Sequence, residues 1–115
     1  MSTATVIVTI LLAALFTFAS AIKLFGVPQS LAVRDHLGIS PALWRSIGLL
    51  ELAGVVGVLA GLAWAPIGVA AAVGLALLSV GAVVSHVRAS DGLADTAPAV
   101  IAVALAAATA VLQAL

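Results

Sequence analysis

The chain has 115 residues, 65% of them hydrophobic and only 7% charged, with four basic and four acidic side chains and a net charge of zero. Soluble domains carry about a quarter charged residues, a small domain has too much surface to hide so much apolar side chain, and disordered chains are poor in apolar residues. With a mean hydropathy of +1.41, the chain is therefore read as a single integral membrane domain of at most four or five spans, at roughly 20 residues per transmembrane helix.

The first span covers residues 3–24 and is uncharged until Lys23. An alternative reading is a signal peptide, because Ala19-Ser20-Ala21 resembles a cleavage site after an apolar run. Against it, no Lys or Arg precedes the run, and the run is longer than the apolar region of a signal peptide. The connection over residues 25–41 holds Pro28, Gly38 and Pro41 around Gln29–Leu37. Leu31, Val33 and Leu37 are too few to span a bilayer, so a short interfacial helix ended by Gly38 is expected.

The second span, residues 42–64, contains Arg45 near its start and Glu51 inside it. Ala65 and the helix-starting Pro66 break it from the third span, residues 66–87, so the two form a tight antiparallel hairpin. His86 stands at the end of the third span. The polar connection over residues 88–97 offers Asp95 or Thr96 as a cap for the fourth span, residues 98–115, which begins at Pro98 and has no ionisable side chain. The fold class is thus all-α membrane: an antiparallel bundle of four transmembrane helices with a short interfacial helix between spans one and two.

All four basic residues, Lys23, Arg34, Arg45 and Arg88, fall on one side of this arrangement. The positive-inside rule puts that side in the cytoplasm and both termini outside. Trp44 and Trp64 are separated by about 30 Å of helix, which suits one Trp in each interfacial belt.

Glu51 is the most informative residue. It sits about 10 Å inside the hydrocarbon, counted from Trp44 at 1.5 Å per residue. A carboxylate facing lipid there is costly, so Glu51 is expected to face the bundle interior with a partner. Lys23 and His86 end neighbouring spans, so the working site is an intramembrane cluster of Lys23, Glu51 and His86. A cytoplasmic rim of Arg34, Asp35, His36, Arg45 and Arg88 surrounds it. The plainer reading stands beside this one: a Glu–Lys pair that only ties helices together, a Lys23 that snorkels to the headgroups, and a solvated Arg34-Asp35-His36 face. No metal site is read, because nothing in the spacing of the two histidines and Glu51 supports one.

Gly54, Gly57 and Gly61 form a small-residue stripe on the second span, and Gly74 and Gly81, with Ser85, lie on the third. Such residues let helix backbones approach closely, and packing within the bundle is the favoured use over a dimer contact. Phe16, Phe18 and Phe25 on or after the first span either line a slot for a flat apolar ring or face lipid. Zero net charge leaves nothing to attract nucleic acid. The absence of cysteine excludes disulfides and thiol redox chemistry by this chain.

Three segments carry a resemblance: Lys23-Leu24, Arg45-Ser46-Ile47-Gly48-Leu49-Leu50-Glu51-Leu52-Ala53-Gly54, and Gly81-Ala82-Val83-Val84-Ser85-His86-Val87-Arg88. They resemble the DoxX-like membrane proteins, with Arg-x-x-Gly-x-x-Glu the most specific part. Family members often carry a glycine shortly before the first-span lysine, where this chain has Ser20 and Ala21. The resemblance covers nearly the whole chain and implies a four-helix bundle in the bacterial cytoplasmic membrane. It further implies a non-catalytic accessory or assembly subunit of a larger, quinone-linked redox complex. The partners expected are the bilayer and another membrane protein or a second copy of this chain. No cofactor is read from the residues, although a quinone or lipid is compatible with the resemblance. Two alternatives are a small proton-coupled multidrug-type transporter working through Glu51 and an isoprenoid- or quinone-binding protein.

Overall fold

The computed structural model describes residues 1–115 and contains helices only: α1 (Thr3–Leu24), α2 (Pro28–His36), α3 (Pro41–Ala60), α4 (Ala65–Arg88) and α5 (Leu93–Ala114). By length and composition α1, α3, α4 and α5 can each cross a membrane, and α2, with nine residues, cannot. The four long helices form a ring in which α1 packs on α3, α3 on α4, α4 on α5 and α5 on α1. The contacts give the direction of each helix. Lys23 near the end of α1 lies against Gly48 near the start of α3, while Thr9, Val58 and Gln113 meet at the opposite end. The bundle is therefore antiparallel, with a charged end under α2 and an uncharged end bearing both termini.

Local chemistry sets the helix ends. Ser2 and Ser40 accept hydrogen bonds from the Thr5 and Leu43 amides, satisfying free N–H groups in the first turns of α1 and α3. At the charged end, α1, α2 and α4 stop in one way. The chain turns left-handed at Gly26 (φ 66°), Gly38 (φ 70°) and Ser90 (φ 60°). The next amide then reaches back to a carbonyl in the last turn: Val27 to Ile22, Ile39 to Arg34, and Asp91 to His86. Gly38 ends α2 as expected. Ser90 takes the same conformation without glycine's freedom.

Some boundaries differ from the sequence reading. The second span, α3, ends at Ala60 rather than near residue 64, capped by Gly61 whose amide bonds back to Gly57. The last helix starts at Leu93, so Pro98 lies inside it and neither Asp95 nor Thr96 is its cap. Gly92 holds the cap position, and the Thr96 hydroxyl donates to its carbonyl. Pro98 is tolerated because the Ala94 carbonyl it leaves unpaired belongs to an exposed first-turn residue.

The core runs along the ring axis through Leu12, Phe16, Val55, Val58, Leu75 and Ala106. At the uncharged end α3 and α4 touch backbone to backbone. A Cβ at Gly61 or Gly68 would overlap the other glycine's Cα and the Gln113 side chain, and Cβ atoms at Gly57 and Gly54 would press on Ala71 and Leu75. The stripe of Gly54, Gly57 and Gly61 thus packs inside the bundle. Gly74 and Gly81 do not pack helices: a Cβ at either would meet nothing within 4 Å. They lie off the stripe of α4 formed by Gly68, Ala72 and Leu75 and line a cavity toward the charged end.

Candidate functional site

The charged end holds a cavity of about 660 Å³, walled by all four long helices, by Val33 of α2 and by Leu37 just after it. Most of its lining is aliphatic, and its polar side chains are Lys23, Glu51, Ser79, Ser85 and His86, with the Trp44 ring among them.

The buried face of α3 recurs at Trp44, Gly48, Glu51, Val55 and Val58, alternating steps of four and three, which is one helix face. Glu51 belongs to that face and is only 6% exposed. On α1, Phe16 and Ser20 continue to Lys23 in the same manner. Gly48 admits α1 closely, since its Cβ would stand 3.1 Å from the Lys23 Cβ. The buried Ser20 hydroxyl donates to the Gly48 carbonyl at 2.8 Å. In a helix the Cα–Cβ bond leans toward the N-terminus. Lys23, at the C-terminal end of α1, therefore leans into the bundle, and Glu51 leans toward the charged end. Lys23 Nζ comes to 3.0 Å from Glu51 Oε1, so Lys23 is turned inward rather than snorkelling out. The same ammonium lies 4.9 Å from the centre of the Trp44 ring, a cation–π contact.

Trp44 is itself covered by α2 and only 7% exposed. Its indole N–H donates to the Ser30 hydroxyl at 3.1 Å, so it is a structural strut under α2 and not a belt residue. Trp64, 64% exposed, has the outward placement expected of an anchor. Phe16 is buried at the cavity wall, while Phe18 and Phe25 point away from the protein.

His86 lines the cavity with Lys23 and Glu51 but pairs with neither. Its Nδ1 lies 2.7 Å from Asp91 Oδ2, and His36 Nε2 lies 2.6 Å from the other oxygen, Asp91 Oδ1. Two imidazoles thus grip one carboxylate from opposite sides, joining the end of α2 to the α4–α5 turn. The hydrogen bond from His86, and then that from His36, hold the Asp91 carboxyl below the usual carboxylate range. The three side chains are not disposed to share a metal ion. Of the rim, only His36 makes a bond across elements. Arg34 pairs with its neighbour Asp35 at 2.9 Å, an exposed contact of small value, and Arg45 and Arg88 are exposed.

Sequence reasoning missed Asp91 and Gln113. Asp91 carried no signal, because Ser90 does not announce the left-handed turn that brings it back over His86. Gln113 had one: it is the single amide in a last span whose only other polar side chain is Thr109. Buried at the uncharged end, it donates to Thr9 Oγ1 and to the Val58 carbonyl, both at 3.1 Å. Its Oε1 has no N–H or O–H partner and lies against Gly61 and Gly68, where only Cα–H groups are available to it.

These features define a multi-pass membrane protein of four spans with an ion-paired cavity at one end. The sequence model of the DoxX-like family matches residues 7–109, and the chain belongs to that family. No curated protein and no solved structure matches it.

Proposed function

We propose that the protein is a non-catalytic accessory or assembly subunit of a larger membrane complex, in which the cavity under α2 holds a quinone, isoprenoid or other lipid-like molecule. It sits in the bacterial cytoplasmic membrane with the charged end toward the cytoplasm, as the clustering of its basic residues favours. The observation that carries this reading is the cavity, aliphatic over most of its wall and containing one ion pair whose charges cancel. Such a lining suits an uncharged apolar molecule. The same pair speaks against a proton-coupled transporter, which exchanges a proton on a lone acid for a cation, whereas Glu51 already has its cation in Lys23.

Purification of the tagged chain from its native membrane in mild detergent tests the reading. Co-purification of a defined membrane protein together with a stoichiometric lipid is the expected result. Recovery as a free monomer or homodimer, without lipid, contradicts it.

A further inference from the structure

An ionised carboxylate can only accept hydrogen bonds, so the contact between His86 Nδ1 and Asp91 Oδ2 at 2.7 Å requires the proton to sit on Nδ1. In the neutral ring, Nε2 is then left with an open lone pair. No protein group hydrogen-bonds Nε2, and the ring forms part of the cavity wall. Asp91 is fixed in turn by His36, which donates to its other oxygen at 2.6 Å, so the carboxylate cannot swing away without releasing α2. Across the cavity, Lys23 and Glu51 satisfy each other's charge. A charged ligand would have to separate them, and an uncharged one does not. Gly74, Gly81 and the 68% exposed Leu77 form an exposed apolar part of the cavity wall on α4, which gives an apolar molecule a lateral way in.

We propose that His86 Nε2 is the recognition point of the cavity, accepting a hydrogen bond from the hydroxyl of an uncharged amphiphile whose apolar body lies along Val33, Leu37, Leu78 and Ala82. Asp91 is the positioning residue that sets the tautomer of His86. The inference rests on the proposed reading of the cavity as a lipid site and adds the chemistry of the head group.

Two probes differing only at the hydroxyl separate the two ideas: 4-dodecylphenol and its methyl ether, titrated into the full chain in lipid nanodiscs. The phenol binds about five- to tenfold more tightly than the ether, the yield of one good neutral hydrogen bond. In His86→Phe the two probes bind alike, at the affinity of the ether. In Asp91→Asn the preference shrinks, and ¹⁵N spectra show His86 protons no longer confined to Nδ1. The wild-type chain with ¹⁵N-labelled histidine gives a readout that needs no variant to fold: the phenol, and not the ether, shifts the unprotonated Nε2 resonance of His86. Equal binding of both probes to the wild type overturns the inference and leaves the lipid reading standing. Binding of neither overturns both.

Discussion

The two ends of this bundle are built from the same helices on opposite rules. At the uncharged end α3 and α4 meet through Gly61 and Gly68, and the only polar side chain between them, Gln113, is locked into the seam. At the charged end both helices line a cavity, glycines of α4 face open space, and the Lys23 ammonium of α1 pairs with the Glu51 carboxylate of α3. Small residues serve two purposes: Gly61, Gly68 and, at the charged end, Gly48 let helices approach closely, whereas Gly74 and Gly81 leave room in the cavity wall. Inside lipid there is no hydrophobic force between spans, so close packing and polar contacts must hold them together. Here the uncharged end does so by backbone contact between α3 and α4, and the charged end by the Lys23–Glu51 pair and the Ser20–Gly48 hydrogen bond beside a cavity.

Substitutions that cross this division test it. The largest effect is expected at the ion pair. Lys23→Met leaves Glu51 as an unpartnered buried carboxylate and costs about 3–5 kcal/mol, read as a fall in the thermal unfolding midpoint in detergent. Replacing both partners with apolar side chains restores most of that loss, because no buried charge is left uncompensated. An unchanged midpoint for Lys23→Met alone would mean that the pair contributes nothing to the fold.

The glycines come next, with opposite signs at the two ends. Gly68→Ala forces a methyl onto Gly61 and Gln113 and destabilises by about 1–3 kcal/mol. Gly74→Ala puts the same methyl into open space and gains about 0.5–1 kcal/mol from reduced backbone freedom in the unfolded chain. Equal effects at both positions, in the same assay, would erase the distinction between the ends.

Smaller changes concern the turn that carries Asp91. Ser90→Gly relieves a left-handed residue and stabilises by up to about 1 kcal/mol. The carboxyl of Asp91 is held below its ordinary range. Its bonds to His86 and His36 therefore add stability in full above the unfolded-state value, about 3.9. That contribution disappears as the pH falls further, through the folded-state value. Asp91→Asn removes this acid dependence, and an acid-unfolding profile identical to wild type would show that Asp91 is not its source.

Much of the closed end and half of the open one were legible in the residues. Four apolar runs with charges confined to one side define the spans and their polarity. Glu51 stood out because a carboxylate in hydrocarbon demands a partner, and Lys23 and His86, each ending a neighbouring span, were the candidates. The stripe of Gly54, Gly57 and Gly61 pointed to a close crossing, though Gly68, its counterpart on α4, went unnoticed in a span rich in small residues. Gly74 and Gly81 look identical to packing glycines in sequence, and only their place on the cavity wall distinguishes them. The pairing of His86 with Asp91 rather than Glu51 depends on a turn set by Ser90, a residue type with no strong preference for that conformation. Trp44 read as an interfacial anchor because nothing in its spacing shows that α2 folds back over it.

The central claim is that the open end exists to hold a lipid-like molecule, and filling it tests this most directly. Gly81→Leu extends a side chain from a cavity-lining position whose Cβ would meet nothing within 4 Å. Native mass spectrometry of the wild type and this variant, released from the same membranes, is the measurement. The wild type should carry a bound lipid mass that Gly81→Leu lacks, with both chains folded to the same helix content. Equal retention of that mass by the folded variant, or none in either protein, would contradict the account.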